Sequence, residues 1–399
     1  MNRFILITLA LISTNTYSNF NFYKDLSLRP VDTSHLGEKL SEELFKNPEW
    51  PETLDFENKK YKINYSINKK LSDYIKKQLR RYRSDYASVV VIDNNNGRII
   101  SAIDYTRNTK KFGKDITFSS TNPAASIFKV ITAAELLENT EVETSSLVSY
   151  SGRATTLYKY QLKDKKTRWT REIAFKRAFA YSNNVVFGKT AIKNTSYSGL
   201  AKMANKFGFN KNVVQLIDVG NSKLFTKMDD YGLAELASGF NRKTMISPVH
   251  GAVIASIIAN DGVYIRPSVV TSIIDDEFDR EVWSPNFLAE RVLTKDSNKD
   301  MQKLMELTVK KGTARGAFRP WKMKRLKNIR IGGKTGTITG GLPYGKRDWF
   351  ISYAVPQNGN DKGISVAVMI VNVKKWYIKS TVLAKKVIEH YYSKVNNNR

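Results

Sequence analysis

With 399 residues and 41% apolar side chains, the chain can build one large domain and a smaller one, each around a real core. It contains no cysteine, which excludes a disulfide framework, a thiolate nucleophile and thiolate metal sites. The formal charge of +28 invites a nucleic-acid reading, but the basic residues are scattered along the chain and no nucleic-acid motif accompanies them.

The N-terminus opens Met1-Asn2-Arg3, runs through an almost wholly apolar stretch at 4–12, and reaches Thr16-Tyr17-Ser18. A basic start, a short apolar core and small residues describe a secretory signal over 1–18. The apolar run falls short of the roughly 20 residues that span a bilayer. The chain is therefore expected to be exported, to the periplasm or the outer face of the cytoplasmic membrane. There an anionic wall polymer or membrane surface, and not nucleic acid, fits the positive charge, and a merely solvated basic face fits equally.

Residues 19–84 are polar, carry Pro30, Pro48 and Pro51, and read as a short, loosely built segment ending in a helix near 72–83. At Tyr86 the character changes. Ala87-Ser88-Val89-Val90-Val91-Ile92-Asp93 and residues 98–103 are strand patterns around Asn94-Asn95-Asn96-Gly97, a hairpin signal. A polar loop leads to Pro123 and a helical run at 125–137 with no interior Gly or Pro. Residues 138–287 read as mainly helical, most clearly at 171–193, 198–207 and 248–260, and 301–311 is another helix. Strand patterns return at 328–338, 349–355 and 363–373, before a closing helix at 380–392. The expected fold is α+β: the terminal portions form a mostly antiparallel sheet flanked by helices, and the middle forms an all-helical lobe. The main domain is expected at 85–394, with its site in the cleft between sheet and lobe.

Three short motifs bear chemistry. In Ser126-Ile127-Phe128-Lys129, near a helix start, residues three apart share a face, so the serine hydroxyl can meet the lysine amine. Serine needs a base to become a nucleophile, and lysine serves only if burial or another cation lowers its pKa. The free N–H groups of the helix start can stabilise an oxyanion. Ser182-Asn183-Asn184 interrupts an apolar helical run. Ser182 could relay a proton between Lys129 and a leaving amine, and Asn184 could grip a peptide amide; an ordinary helix cap is the plainer reading. Lys334-Thr335-Gly336-Thr337 follows a strand pattern. Its lysine would depress the Lys129 pKa, its Thr335 and Thr337 hydroxyls could take a carboxylate, and Gly336 lets a substrate backbone approach. It does not meet the phosphate-binding pattern G-x-x-x-x-G-K-[ST]. Each motif alone arises readily by chance; the three in order do not. His35, His250 and His390 lie far apart, so a Ser-His-Asp triad and a histidine metal site are not expected.

The set S-x-x-K, S-x-N, K-T-G resembles that of penicillin-binding proteins and serine β-lactamases. Over about 86–392 the chain is similar to the transpeptidase domain of high-molecular-weight penicillin-binding proteins. The opening hairpin, residues 178–187, Ile246-Ser247-Pro248, Ala259-Asn260-Asp261-Gly262 and Asp348-Trp349-Phe350 add to the likeness. The resemblance implies a β-lactamase/transpeptidase-like fold. It assigns catalytic roles to Ser126, Lys129, Ser182 and Lys334, and substrate binding to Asn184, Thr335, Gly336 and Thr337. It implies a Ser126 acyl-enzyme with a peptidoglycan stem peptide, covalent acylation by β-lactams, and no metal or cofactor. Departures are Pro123-Ala124-Ala125 in place of the usual Pro-Gly, and a region before Tyr86 too short for a glycosyltransferase domain. D,D-carboxypeptidase, β-lactamase (with Glu235 as the nearest candidate for an extra base) and a non-catalytic wall-binding or β-lactam-sensing domain remain as alternatives.

Overall fold

The computed structural model describes residues 32–395 except 228 and 374, so the expected signal at 1–18 lies outside the described residues. Among the described residues no helix is long and apolar enough to cross a membrane. From Thr33 onward the segment expected to be loose is ordered. Helix α1 (Thr33–Lys46) buries Leu36, Leu40 and Leu44, spaced four apart on one face. Strands β1 (Thr53–Phe56) and β2 (Lys59–Tyr65) form a hairpin. Its turn residues Glu57 and Asn58 sit at φ 49° and 62°, the two positive values that a tight turn matched to strand twist requires. A lone two-stranded ribbon is marginal. Here β2 gains a second neighbour in strand Val270–Asp275, which in turn pairs Arg280–Trp283. That partner is remote in sequence, which is why the local pattern looked loose.

Helix α2 (Lys69–Tyr82) starts where the Asn68 side chain accepts from the Leu71 N–H, and it buries Leu71, Ile75 and Leu79. Strands β3 (Tyr86–Asp93) and β4 (Arg98–Thr106) form the expected hairpin, with Gly97 at φ 68° closing the loop, and β5 (Lys111–Gly113) follows. The middle of the chain contributes helix α3 (Lys129–Asn139), strands β6 (Leu147–Tyr150) and β7 (Arg171–Ala174), and helices α4 (Phe175–Ala180), α5 (Asn184–Asn194), α6 (Asp230–Ser238) and α7 (Pro248–Ala259). Helix α8 (Lys295–Lys310), strands β8 (Ile329–Gly340), β9 (Gly345–Pro356) and β10 (Ile364–Asn372), and helix α9 (Ser380–His390) complete it.

The main sheet has the order β8-β9-β10-β3-β4-β5 and is antiparallel throughout. The two ends of the domain meet at its centre, where Val368 of β10 faces Val89 of β3. Every residue of β10 is buried, so the strand reads as a continuous apolar run and not as an alternation. On one face α2 and α9 pack through Ile75, Leu79, Leu383 and Val387 against Val89, Val366 and Phe350. On the other face lies α7, apolar all round and wholly buried; its Gly251 lets the helix approach Ile351 and Ala367.

The α+β architecture is the expected one, with two local differences. Residues 171–193 form a strand, a helix, a break and a second helix instead of one helix, because Asn183 caps α5 by accepting from the Val186 N–H. Residues 263–291 carry four short strands and no helix, and residues 147–174, also expected to be helical, carry the ribbon β6–β7. In both cases strand pairing outweighs local helical preference: 171–174 with 147–150, and 270–275 with β2.

Candidate active site

The nucleophile candidate is held by strain and by neighbours. Residues Ala125–Phe128 form a 3-10 turn that runs into α3, and Ala125 sits at φ 52°, a conformation non-glycine residues seldom adopt. Compensating bonds fix it: the Trp349 indole donates to the Pro123 carbonyl at 3.0 Å, and the Ala124 N–H to Thr244 at 2.9 Å. Gly239, the left-handed cap of α6, lies against the same peptide; a Cβ there would fall 1.9 Å from the Ala125 carbonyl oxygen.

Lys129 Nζ lies 2.9 Å from Ser126 Oγ and donates to Asn184 Oδ1 at 2.7 Å and to the Ser238 carbonyl at 2.5 Å. The side chain is wholly buried. Burial first, and the positive charge of Lys334 second, hold its pKa well below the ordinary lysine value. All its partners are neutral, so nothing offsets the cost of keeping the ammonium dry. The lowered pKa favours the neutral amine, the form in which Lys129 can accept the Ser126 proton.

Ser182, in the break between α4 and α5, has φ 57° and accepts from Lys334 Nζ at 2.9 Å. Among the described residues it makes no hydrogen bond to Lys129; its lysine is the other one. The capping role falls on Asn183, which leaves Ser182 and Asn184 to the site. Asn184 uses Oδ1 for Lys129 and one Nδ2 hydrogen for the Thr155 carbonyl at 2.9 Å, with its second Nδ2 hydrogen still to place. Lys334 is fully buried, also donates to the Thr335 carbonyl at 2.9 Å, and lies 5.5 Å from the Phe179 ring centre. Burial pulls its pKa down to about 7.

Strand β8 is the sheet edge, as the K-T-G run suggested. Gly336 faces the nucleophile turn; a Cβ there would lie 3.3 Å from the Ile127 nitrogen. Ser126, Ser182, Asn184, Thr335, Gly336 and Thr337 line one cleft of about 1030 Å³, and Lys129 and Lys334 lie buried behind it. The structure thus brings all eight singled-out residues to one place. It adds others that sequence reasoning did not single out. The Ser238 carbonyl holds Lys129, and the Thr313 hydroxyl sits 2.5 Å from that of Thr335. No local signal marks either, since one acts through its backbone and the other sits in a plain Lys-Gly-Thr-Ala turn. Glu235 also lines the cleft, its carboxyl pKa raised by burial. Among the described residues no three His, Cys, Asp or Glu side chains converge to hold a metal.

A model of the penicillin binding protein transpeptidase domain matches residues 87–389. The chain is 26% identical over 269 residues to peptidoglycan D,D-transpeptidase PbpA of Mycobacterium tuberculosis, covering 64% of this chain and 50% of that protein. It therefore spans about half the length of the curated relatives it matches. Among solved structures, penicillin-binding protein A of M. tuberculosis as an imipenem acyl-enzyme superposes with TM-score 0.62 at 20% identity, over 82% of this chain and 79% of that one. Penicillin-binding protein 3 of the same organism, complexed with aztreonam, gives 0.69 at 15% identity, over 84% and 80%.

Proposed function

Because the chain belongs to the penicillin-binding protein transpeptidase family, we propose that it is a peptidoglycan D,D-transpeptidase working through an acyl-enzyme on Ser126. The observation that carries this is the buried Lys129 amine 2.9 Å from the Ser126 hydroxyl. The neutral amine takes the hydroxyl proton as Oγ attacks the carbonyl of the penultimate D-Ala. The tetrahedral oxyanion faces the Ser126 and Thr337 N–H groups. In support, the Thr335 carbonyl is met by Lys334 on the cleft side, and a strand's period of two turns the Thr337 backbone the same way. The C–N bond breaks, and the leaving amine receives a proton from the Lys334–Ser182 pair. The amine of a second stem peptide then attacks the ester; its surplus proton restores the Lys334–Ser182 pair, and Lys129 returns its proton to the departing Oγ. Thr335 and Thr337 bind the donor's terminal carboxylate, and Asn184 offers its remaining N–H to the peptide backbone. A β-lactam enters the same first step, but its leaving amine stays tethered and the acyl-enzyme persists.

The catalytic domain is assigned to 85–394, which the family match at 87–389 supports. Its substrate lies outside the cytoplasm, in keeping with a signal at 1–18 and a location in the periplasm or on the outer face of the cytoplasmic membrane. A second reading, hydrolysis of the acyl-enzyme, draws on Glu235, whose raised pKa suits a base for water. Both are tested by incubating the protein and its Ser126→Ala variant with a fluorescent penicillin. A stable label lost in the variant is expected. A label that clears with drug consumed, and persists in Glu235→Gln, would establish hydrolysis instead. No label on the folded wild type would overturn the acyl-enzyme reading.

A further inference from the structure

Residues 151–171 make an arm beside the cleft that the reaction as described does not use. It holds seven Lys or Arg residues against one acid, Asp164, whose charge is taken by Lys189 at 2.6 Å. Arg153, Lys163, Lys165, Lys166 and Arg168 are exposed and, among the described residues, make no ion pair. The arm also displays exposed aromatic rings: Trp169 is 69% exposed with the Arg168 guanidinium 4.9 Å from its ring centre, and Tyr158 and Tyr160 lie stacked at 10° with 54% and 63% exposure. The core gains nothing from such rings, since burial would have been worth about 1.5–3 kcal/mol for a large apolar side chain. Exposed aromatics in a cluster mark a contact surface.

The arm has shape as well as charge. Gly152, Arg153, Arg168, Trp169 and Arg171 line a hollow of about 620 Å³. Its remaining wall includes Thr155, which also lines the catalytic cleft and whose carbonyl holds the Asn184 amide. The arm's hollow and the Ser126 cleft therefore share a wall residue, so a long substrate leaving the cleft past Thr155 runs directly onto the arm. The ribbon β6–β7 anchors it: Arg171 stacks 4.7 Å from the Tyr150 ring centre and donates to the Gly152 carbonyl.

We propose that this arm is a binding track for the glycan strand that carries the donor stem peptide, an inference that rests on the transpeptidase reading above. A peptidoglycan strand combines sugar rings, whose C–H faces lie on aromatic rings, with stem-peptide carboxylates, which guanidinium groups receive in bidentate pairs. Nucleic acid or an anionic lipid surface would satisfy the charge, but neither carries a stem peptide whose carbonyl Ser126 could attack, and the track opens on Ser126. The arm thus selects polymeric, carboxylate-bearing donors over free peptides.

The test compares full-length Ser126→Ala protein with and without Arg168→Ala/Trp169→Ala, both exposed positions, for binding to soluble uncross-linked peptidoglycan strands at about 150 mM salt. The double change is expected to weaken strand binding by about tenfold or more. In the Ser126 protein it should leave fluorescent-penicillin acylation within about twofold and the melting temperature unchanged. Strands whose free stem carboxylates are amidated should bind the unaltered arm less tightly. Equal strand affinity with and without the double change would overturn the proposal. So would equal or tighter binding of single-stranded DNA or phosphatidylglycerol vesicles through the same two residues. Loss of penicillin labelling in wild type, by contrast, would strike the acyl-enzyme reading whatever the strands do.

Discussion

Gly239 offers the sharpest test of how the nucleophile is placed. Its φ of 63° is left-handed, where an L side chain costs about 1–2 kcal/mol per residue. Gly220 has nearly the same φ, 65°, but its missing side chain would meet nothing within 4 Å, whereas at Gly239 the Ala125 carbonyl oxygen lies 1.9 Å away. Real Cβ contacts begin at 3.0 Å, so in Gly239→Ala the Ala125–Ser126 peptide must retreat by about 1.1 Å. Ala125 is already at φ 52° and tied through Thr244 and Trp349, so it cannot yield without moving Ser126 Oγ relative to Lys129. A misplacement of about 1 Å costs on the order of 100-fold in rate. The second-order rate of acylation by a fluorescent penicillin should therefore fall about 100-fold in Gly239→Ala. In Gly220→Ala it should be unchanged, while urea melts show the shared backbone cost of about 1–2 kcal/mol in both. Wild-type acylation by folded Gly239→Ala would refute the view that this contact sets the nucleophile.

Other consequences are as direct. Lys129→Met should lower acylation by about 100- to 10,000-fold, the usual worth of a general base, in a protein that still melts cooperatively. Because only the neutral amine accepts the Ser126 proton, the wild-type rate should rise with pH and level off well below the ordinary lysine range; a rise only near pH 10 would sink Lys129 as base. Lys334→Met removes the neighbouring charge, lets Lys129 hold its proton longer and should move that ascending limb to higher pH. The same variant should alter stability. With its folded pKa lowered from 10.5 to about 7, Lys334 binds protons more tightly in the unfolded chain, so wild-type stability should fall as pH drops across that window, and less steeply in the variant. Lys114 is 2% exposed and donates to the carbonyls of Asn47, Pro48 and Glu49 at 2.8, 3.0 and 3.0 Å. Lys114→Met strands these acceptors, should cost about 2–4 kcal/mol in urea melts, and should open residues 47–52 to proteolysis without altering acylation.

The site was unusually legible in the sequence because its chemistry is compressed into three runs. Ser126 and Lys129 meet through helical spacing alone, and Lys334 to Thr337 announce an edge strand by their glycine and threonines. Roles played by backbone atoms or through relative placement were not legible. Nothing in Ala237-Ser238-Gly239 shows that one carbonyl there holds a lysine and one missing Cβ makes room for a peptide. The break at Ser182 was visible, but its attachment to Lys334 was not, because that contact joins residues 152 apart.

By itself the sequence determined the local elements whose periodicity is complete: the β3–β4 hairpin, α2, α7, the closing strands and helix, and the three short runs whose side chains converge on the cleft. Burial of the two lysines, and hence their lowered pKa values, came only with the tertiary structure, because desolvation depends on everything packed around a side chain. The same holds for strand β2 and for residues 270–275, whose short apolar runs pair with each other across some 200 residues. Local propensity is worth tenths of a kcal/mol per residue and is outweighed by such pairing.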